Sequence, residues 1–377
     1  MQPQNTQRSH GAPGASPGIP APPPARDKAG AKKTRRYAPS MTAPLLVLAV
    51  YLLLLFVRFT SPYLFDRENE VILLTAVQVL IFMLPAVIYI RVCRVSVRRL
   101  RPALFGINHI LLMLSAVVAA TAGSLLLNLA LSGYDSFSDT YTLYGAFSTP
   151  TGGGAAQDLY LAVVYAALPA FCEEFIFRAV LCAEYESDGG SFSAVVLTSL
   201  WFAMLHFDTG SFLVYFSAGI LLALTLYATR SFFAAFAVHF CYDLIAVFGA
   251  PLFRTFYDAG GRTLYILILG LTALAALTVF CGECARLYGS YADRALSSDY
   301  RGSWSPTSAA ERNGVQYPRK TNGAPDASNA QNVPDVAPPR GFADSLRRAF
   351  AGNARAFLAP SALLCYLLYI AVILFLN

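Results

Sequence analysis

The sequence predicts an all-α polytopic membrane protein: a core of about eight helices plus one further transmembrane helix at the C-terminal end. Three observations predict it. Of the 377 residues, 56% are apolar and only 13% charged, with a mean hydropathy of +0.51; soluble domains run nearer about 45–50% and about 25%. The apolar residues collect in segments of about 20, the length that crosses a hydrocarbon core of about 30 Å. The basic residues collect between those segments on alternate sides.

The first 40 residues are polar and rich in Pro, Gly and Ala, with no short apolar stretch and small-residue cleavage site to mark a signal peptide. They read as a disordered tail. Apolar segments follow at 41–60, 71–90, 104–132, 158–183, 192–209, 211–229, 232–250 and 264–282, and a ninth at 356–376. The third is long enough to tilt or break. The fifth and sixth are separated by Asp208-Thr209-Gly210, which predicts a tight hairpin. The domain reading is therefore a tail (1–40), a transmembrane core (41–282), a polar linker rich in Pro, Gly, Ser and Asn (283–355), and a terminal span (356–377).

Seven Lys/Arg lie in 1–40, five arginines in 91–101 and ten Lys/Arg in 284–355, whereas 133–157 holds none. This asymmetry places the basic segments, and so the N-terminus, in the cytoplasm. The net charge of +6 therefore follows topology, and nucleic acid is not an expected partner. The stretch Lys32-Lys33-Thr34-Arg35-Arg36 suits anionic lipid as well as a topology anchor. The alanine-rich composition suggests a bacterial plasma membrane. Seven cysteines, an odd number without a pairing pattern, do not suggest a disulfide framework; Cys281 and Cys284 form a C-x-x-C without a second pair.

The chemistry-bearing residues stand out because charge inside lipid is costly, at roughly 2.5–3.5 kcal/mol per residue on insertion scales. Glu173 and Glu174 lie side by side within an apolar span. Glu174 and Arg178 are four apart and share a helix face, so they can pair. Glu173 points about 100° away, free to act as a base or to stay protonated. Two of the chain's four histidines, His206 and His239, fall in later apolar spans. Asp243 follows His239 by four residues and can orient its ring. Counting along each helix brings Glu173, His206 and His239 near the bilayer midplane. Arg178 leaves about two negative charges uncompensated among Glu173, Glu174 and Asp243. Shared protons in a watery cavity would answer that, as would a divalent metal such as zinc held by Glu173, His206 and His239. The residues leave both open, and no H-E-x-x-H motif is present.

Glu173-Glu174-x-x-x-Arg178, Phe202-x-x-x-His206 and His239-x-x-x-Asp243, in that order on successive spans, resemble the CPBP family of intramembrane proteases, which includes the CAAX-prenyl endopeptidase and bacteriocin self-immunity proteins. The similarity covers about 158–250 and takes in the Gly219-Ile220-Leu221-Leu222 stretch. Two positions depart from the family pattern: Ala179 stands where glycine is usual, and Asp243 where asparagine is most frequent. The resemblance implies an endopeptidase acting on a peptide or protein at or within the membrane. In it Glu173, helped by His206, activates water; His239 with Asp243 stabilises the oxyanion; Glu174 and Arg178 hold the arrangement. A non-catalytic scaffold of the same fold is the alternative. A transporter using the acids as proton relays is a weaker one, because no inverted repeat shows.

Overall fold

The computed structural model describes residues 38–64, 75–76, 78–95, 100–140, 154–188, 190–296 and 351–376. The chain divides at Arg36, and its first unit, 1–35, lies outside the described residues, as does most of the predicted linker. The described residues are helical, without a strand among them. Each of the nine apolar segments contains a helix: α1 (Pro39–Leu64), α2 (Val79–Cys93), α3 (Ile110–Thr140), α4 (Ala155–Ser187), α5 (Ser191–Met204), α6 (Phe212–Thr229), α7 (Phe232–Gly249), α8 (Pro251–Tyr288) and, for the ninth, a bent pair α9 (Ala351–Phe357) and α10 (Pro360–Leu376). Six of them are long and apolar enough to cross a membrane by themselves, and the bent pair makes up to seven. Leucines and phenylalanines exposed along α1, α3, α8 and α10, among them Phe56, Leu114, Leu271 and Phe375, suit contact with lipid. The protein is multi-pass.

One helix is shorter than the sequence predicts. At 14 residues α5 rises only about 21 Å. It stops because the chain turns through Phe207, whose φ of 52° lies in the left-handed region. The helix α2 runs past the predicted end at 90 and stops at Arg94, also left-handed at φ 53°, whose N–H closes on the Ile90 carbonyl. The third segment, in contrast, is one continuous helix as far as Thr140. The helical run that begins at Phe232 passes the predicted boundary at 282 and reaches Leu296, with a break at Gly261, where φ is 69°. Gly261 has no Cβ to oppose that conformation.

Local contacts fix the helices that matter for the site. Asp208 Oδ1 accepts the N–H groups of Gly210 (2.9 Å) and Ser211 (3.2 Å), making the tight turn between α5 and α6. Ser231 caps α7: its Oγ accepts the Ala234 N–H at 3.2 Å and donates to the Ala103 carbonyl at 2.5 Å. The Phe232 N–H reaches the Arg101 carbonyl at 3.0 Å. The start of α7 is thus tied to the strand of chain that leads into α3.

The largest buried cluster joins α1, α2, α4, α5, α6 and the first turn of α7. The terminal segment belongs to it through Ala356, Ala359, Ala362 and Cys365. Tyr366 stacks on Trp201 with centroids 5.0 Å apart, and Cys365 donates to the Pro44 carbonyl. The helix added at the end of the chain is therefore packed into the core.

Candidate active site

The site begins with a change of helix geometry in α4. Leu168–Glu174 is α-helical, and Phe175–Leu181 widens into a π-helical stretch. Such stretches are uncommon and occur often at functional positions. Here the change falls directly after the two glutamates and carries Arg178.

The expected Glu174–Arg178 pair is present. Arg178 Nη1 lies 3.0 Å from Glu174 Oε1, and neither side chain is exposed. Arg178 Nη2 also donates to the Gly219 carbonyl on α6 at 3.1 Å. Its guanidinium lies over the Phe202 ring at 4.8 Å and over Phe177 at 5.7 Å, favourable cation–π placements. Gly219 is required for this. A Cβ there would stand 3.0 Å from both Cα and Cβ of Ser199, so the small residue lets α5 and α6 close together.

His239 joins α7 to α4. Its Nδ1 lies 2.9 Å from Glu174 Oε1. The carboxylate accepts, so Nδ1 carries the proton and Glu174 sets the ring's orientation. Asp243, which spacing alone gave that role, stands instead near the other nitrogen, with Oδ2 3.6 Å from Nε2. Glu173 Oε2 is 3.9 Å from the same Nε2. Both separations exceed a direct hydrogen bond. Glu173 is the more accessible of the two glutamates, its side chain 17% exposed against 0% for Glu174.

His206 is held differently. It lies beyond the end of α5, in the turn, not on the predicted span. Its Nδ1 is 2.8 Å from the Phe202 carbonyl, an acceptor, so Nε2 is left with its lone pair. Its ring stacks on Tyr215 at 3.8 Å and 16°. No hydrogen bond or ion pair among the described residues joins His206 to Glu173, Glu174, His239 or Asp243. The link is Phe202, whose ring meets His206 edge-on at 4.8 Å and His239 at 5.7 Å.

Thus Glu173, Glu174, Arg178, His239 and Asp243 form one connected group, and His206 stands across Phe202 from it. Tyr215 went unnoticed in the sequence, since it carries neither a charge nor a motif, and the family-like stretch that begins at Gly219 gave no sign that its carbonyl serves Arg178. Glu184 is a further buried acid, 1% exposed, which accepts from the Tyr89 hydroxyl at 3.0 Å. It lies one residue past the predicted span end and sits apart from the group.

The donors suit a metal poorly. Glu174 Oε1 is committed to Arg178 and His239, and His206 Nδ1 to a backbone carbonyl. Among the described residues no three His, Cys, Asp or Glu side chains are arranged to hold a metal ion. The seven cysteines, all described, are free thiols.

Fold and site together define a multi-pass membrane protein with a carboxylate–imidazole centre buried between its helices. Residues 155–245, about a quarter of the chain, match the model of the family described as Rce1-like, type II CAAX prenyl endopeptidase Rce1-like. The match takes in all six predicted site residues. It supports the CPBP/CAAX protease resemblance and implies an intramembrane endopeptidase. No curated protein and no solved structure matches the chain.

Proposed function

We propose that the protein is an intramembrane endopeptidase that hydrolyses a peptide bond with water activated by Glu173. One observation carries the reading. The imidazole of His239 bridges the adjacent glutamates, with Nδ1 on Glu174 at 2.9 Å and Nε2 facing Glu173 at 3.9 Å. A single water can lie within hydrogen-bond reach of both Glu173 Oε2 and His239 Nε2 at that separation.

Glu173 takes the proton of this water as it attacks the scissile carbonyl. Glu173 then hands that proton to the leaving amine, and His206 assists from beyond the Phe202 ring, where its Nε2 lone pair can accept through water. A protonated His239 Nε2, with Asp243 beside it, donates to the oxygen that becomes negative in the tetrahedral intermediate. Glu174 and Arg178 position His239 and react with nothing. No step is routed through a metal. The basic segments face the cytoplasm, and the tail around Lys32 to Arg36 adds attraction to anionic lipid.

The test uses purified protein in nanodiscs and a peptide library read by mass spectrometry. Wild type is expected to cleave, and Glu173→Gln to lose about 10²–10⁴-fold of that activity with its fold retained. Equal cleavage by the two would sink the assignment, leaving a partner-binding scaffold of the same fold.

A further inference from the structure

We propose that the buried polar edge of α3, formed by Thr121, Ser124 and Asn128, binds the peptide backbone of the substrate beside the reacting centre. This rests on the endopeptidase reading and extends it to substrate recognition.

The edge runs alongside the histidine-bearing helix. Ala116 and Val117 of α3 pack in one cluster with Val238 of α7, and further along the Tyr242 hydroxyl donates to Ser124 Oγ at 2.9 Å. The two helices therefore ascend together. Thr121, Ser124 and Asn128 recur at spacings of three and four and share a face. That face lies at the level of His239 to Asp243 and the turn beyond.

Two of these side chains have polar atoms without a partner among the described residues. Thr121 is 9% exposed and Asn128 4%. Thr121 Oγ1 and Asn128 Oδ1 have no hydrogen-bond partner among the described residues. Other buried threonines behave otherwise: Thr198, Thr225 and Thr229 each return their hydroxyl to a carbonyl one turn back. Packing does not call for an amide here either. Leu125 and Leu129, on the neighbouring face, fill the contact with Tyr257 and Tyr265. A leucine at 128 would bury the same area without an orphaned acceptor, which is costly to keep dry.

The substrate's chemistry fits the orphaned atoms. A segment cut within a membrane must be unwound at the scissile bond, and its freed N–H and C=O groups find no partners in lipid. An asparagine side chain is itself an amide, donor and acceptor at once, and a threonine hydroxyl is both as well. The edge thus offers an extended backbone the hydrogen bonds that unwinding removes.

The experiment measures binding apart from cleavage. Full-length Glu173→Gln in nanodiscs is titrated with a library of fluorescein-labelled apolar peptides, with and without Asn128→Leu, and the unfolding temperature of each is recorded. Loss of one hydrogen bond of ordinary net strength weakens binding by about tenfold. The unfolding temperature is expected to hold or rise. Thr121→Val, nearly equal in shape, is expected to weaken binding by a smaller factor at unchanged stability. With Glu173 restored, Asn128→Leu raises KM and leaves kcat in place. Unchanged affinity in both variants overturns the proposal, and so does a lack of binding by any of the proteins. A fall in affinity accompanied in both variants by a matching fall in stability overturns it too. If the wild type cuts nothing while the affinity losses persist, the endopeptidase reading fails and the subsite stands. If the wild type cuts and the affinities are unchanged, only the subsite fails.

Discussion

The two histidines of the site are held by different physics. His239 sits in a lattice of charge: Glu174 on one nitrogen, Glu173 and Asp243 about the other, and Arg178 behind Glu174. His206 sits in a lattice of rings and backbone: Tyr215 stacked on it, Phe202 edge-on, and the Phe202 carbonyl on Nδ1. The first lattice is strong but fragile at its centre, because removing Glu174 or Arg178 leaves a buried charge without the partner it has now. The second is soft, and each contact in it is worth about 0.5–1.5 kcal/mol beyond its area. A centre held by charge is thereby paired with a histidine held by rings in a turn.

Arg178→Met is the strongest way to break the comparison. It leaves Glu174 buried and uncompensated, and a loss of about 3–5 kcal/mol is expected in equilibrium unfolding or as lost expression. Arg178→Lys is expected to recover only part, since an ammonium cannot reach Glu174 and the Gly219 carbonyl together with the guanidinium's planar geometry. Normal stability in Arg178→Met would mean that the charge lattice does not hold the fold.

Gly219→Ala asks whether the lattices are coupled. The added methyl meets Ser199 at 3.0 Å, forcing α5 from α6 and moving the carbonyl that Arg178 uses. Overpacking of this kind costs about 1–3 kcal/mol. Activity is expected to fall together with the unfolding temperature.

The softest contact gives the smallest effect. Tyr215→Leu removes the stack on His206 and should lower turnover several-fold with little change in stability, whereas Tyr215→Phe keeps the ring and should keep the rate. If leucine served as well as phenylalanine, the stack would not be positioning His206.

What the sequence allowed to be read follows the same divide. Pairings within one helix were legible, because spacing alone puts Glu174 beside Arg178 and His239 near Asp243. The burial of charge among apolar residues marked the acids. Contacts between helices were not legible. The bond from Glu174 to His239 spans 65 residues, and no periodicity encodes it. Spacing thus gave the orientation of His239 to Asp243, where the fold gives it to Glu174. The turn after α5 was legible, because Asp208-Thr209-Gly210 marks it, whereas the early end of the helix at Met204 was not, because it rests on the left-handed Phe207. Tyr215 looks like an ordinary membrane residue, and the contacts of Gly219 stay hidden within its family-like stretch, until a partner helix is placed against them.

The adjacent glutamates offer the most direct test, because they are the same residue type one position apart. Glu173→Gln and Glu174→Gln are to be compared in one preparation for both peptide cleavage and unfolding temperature. Glu173→Gln is expected to abolish cleavage at near wild-type stability. Glu174→Gln is expected to unfold earlier, because Arg178 and His239 lose the carboxylate they share. Cleavage by Glu173→Gln at the wild-type rate, or equal stability losses in the two variants, would contradict the division of labour on which the account rests.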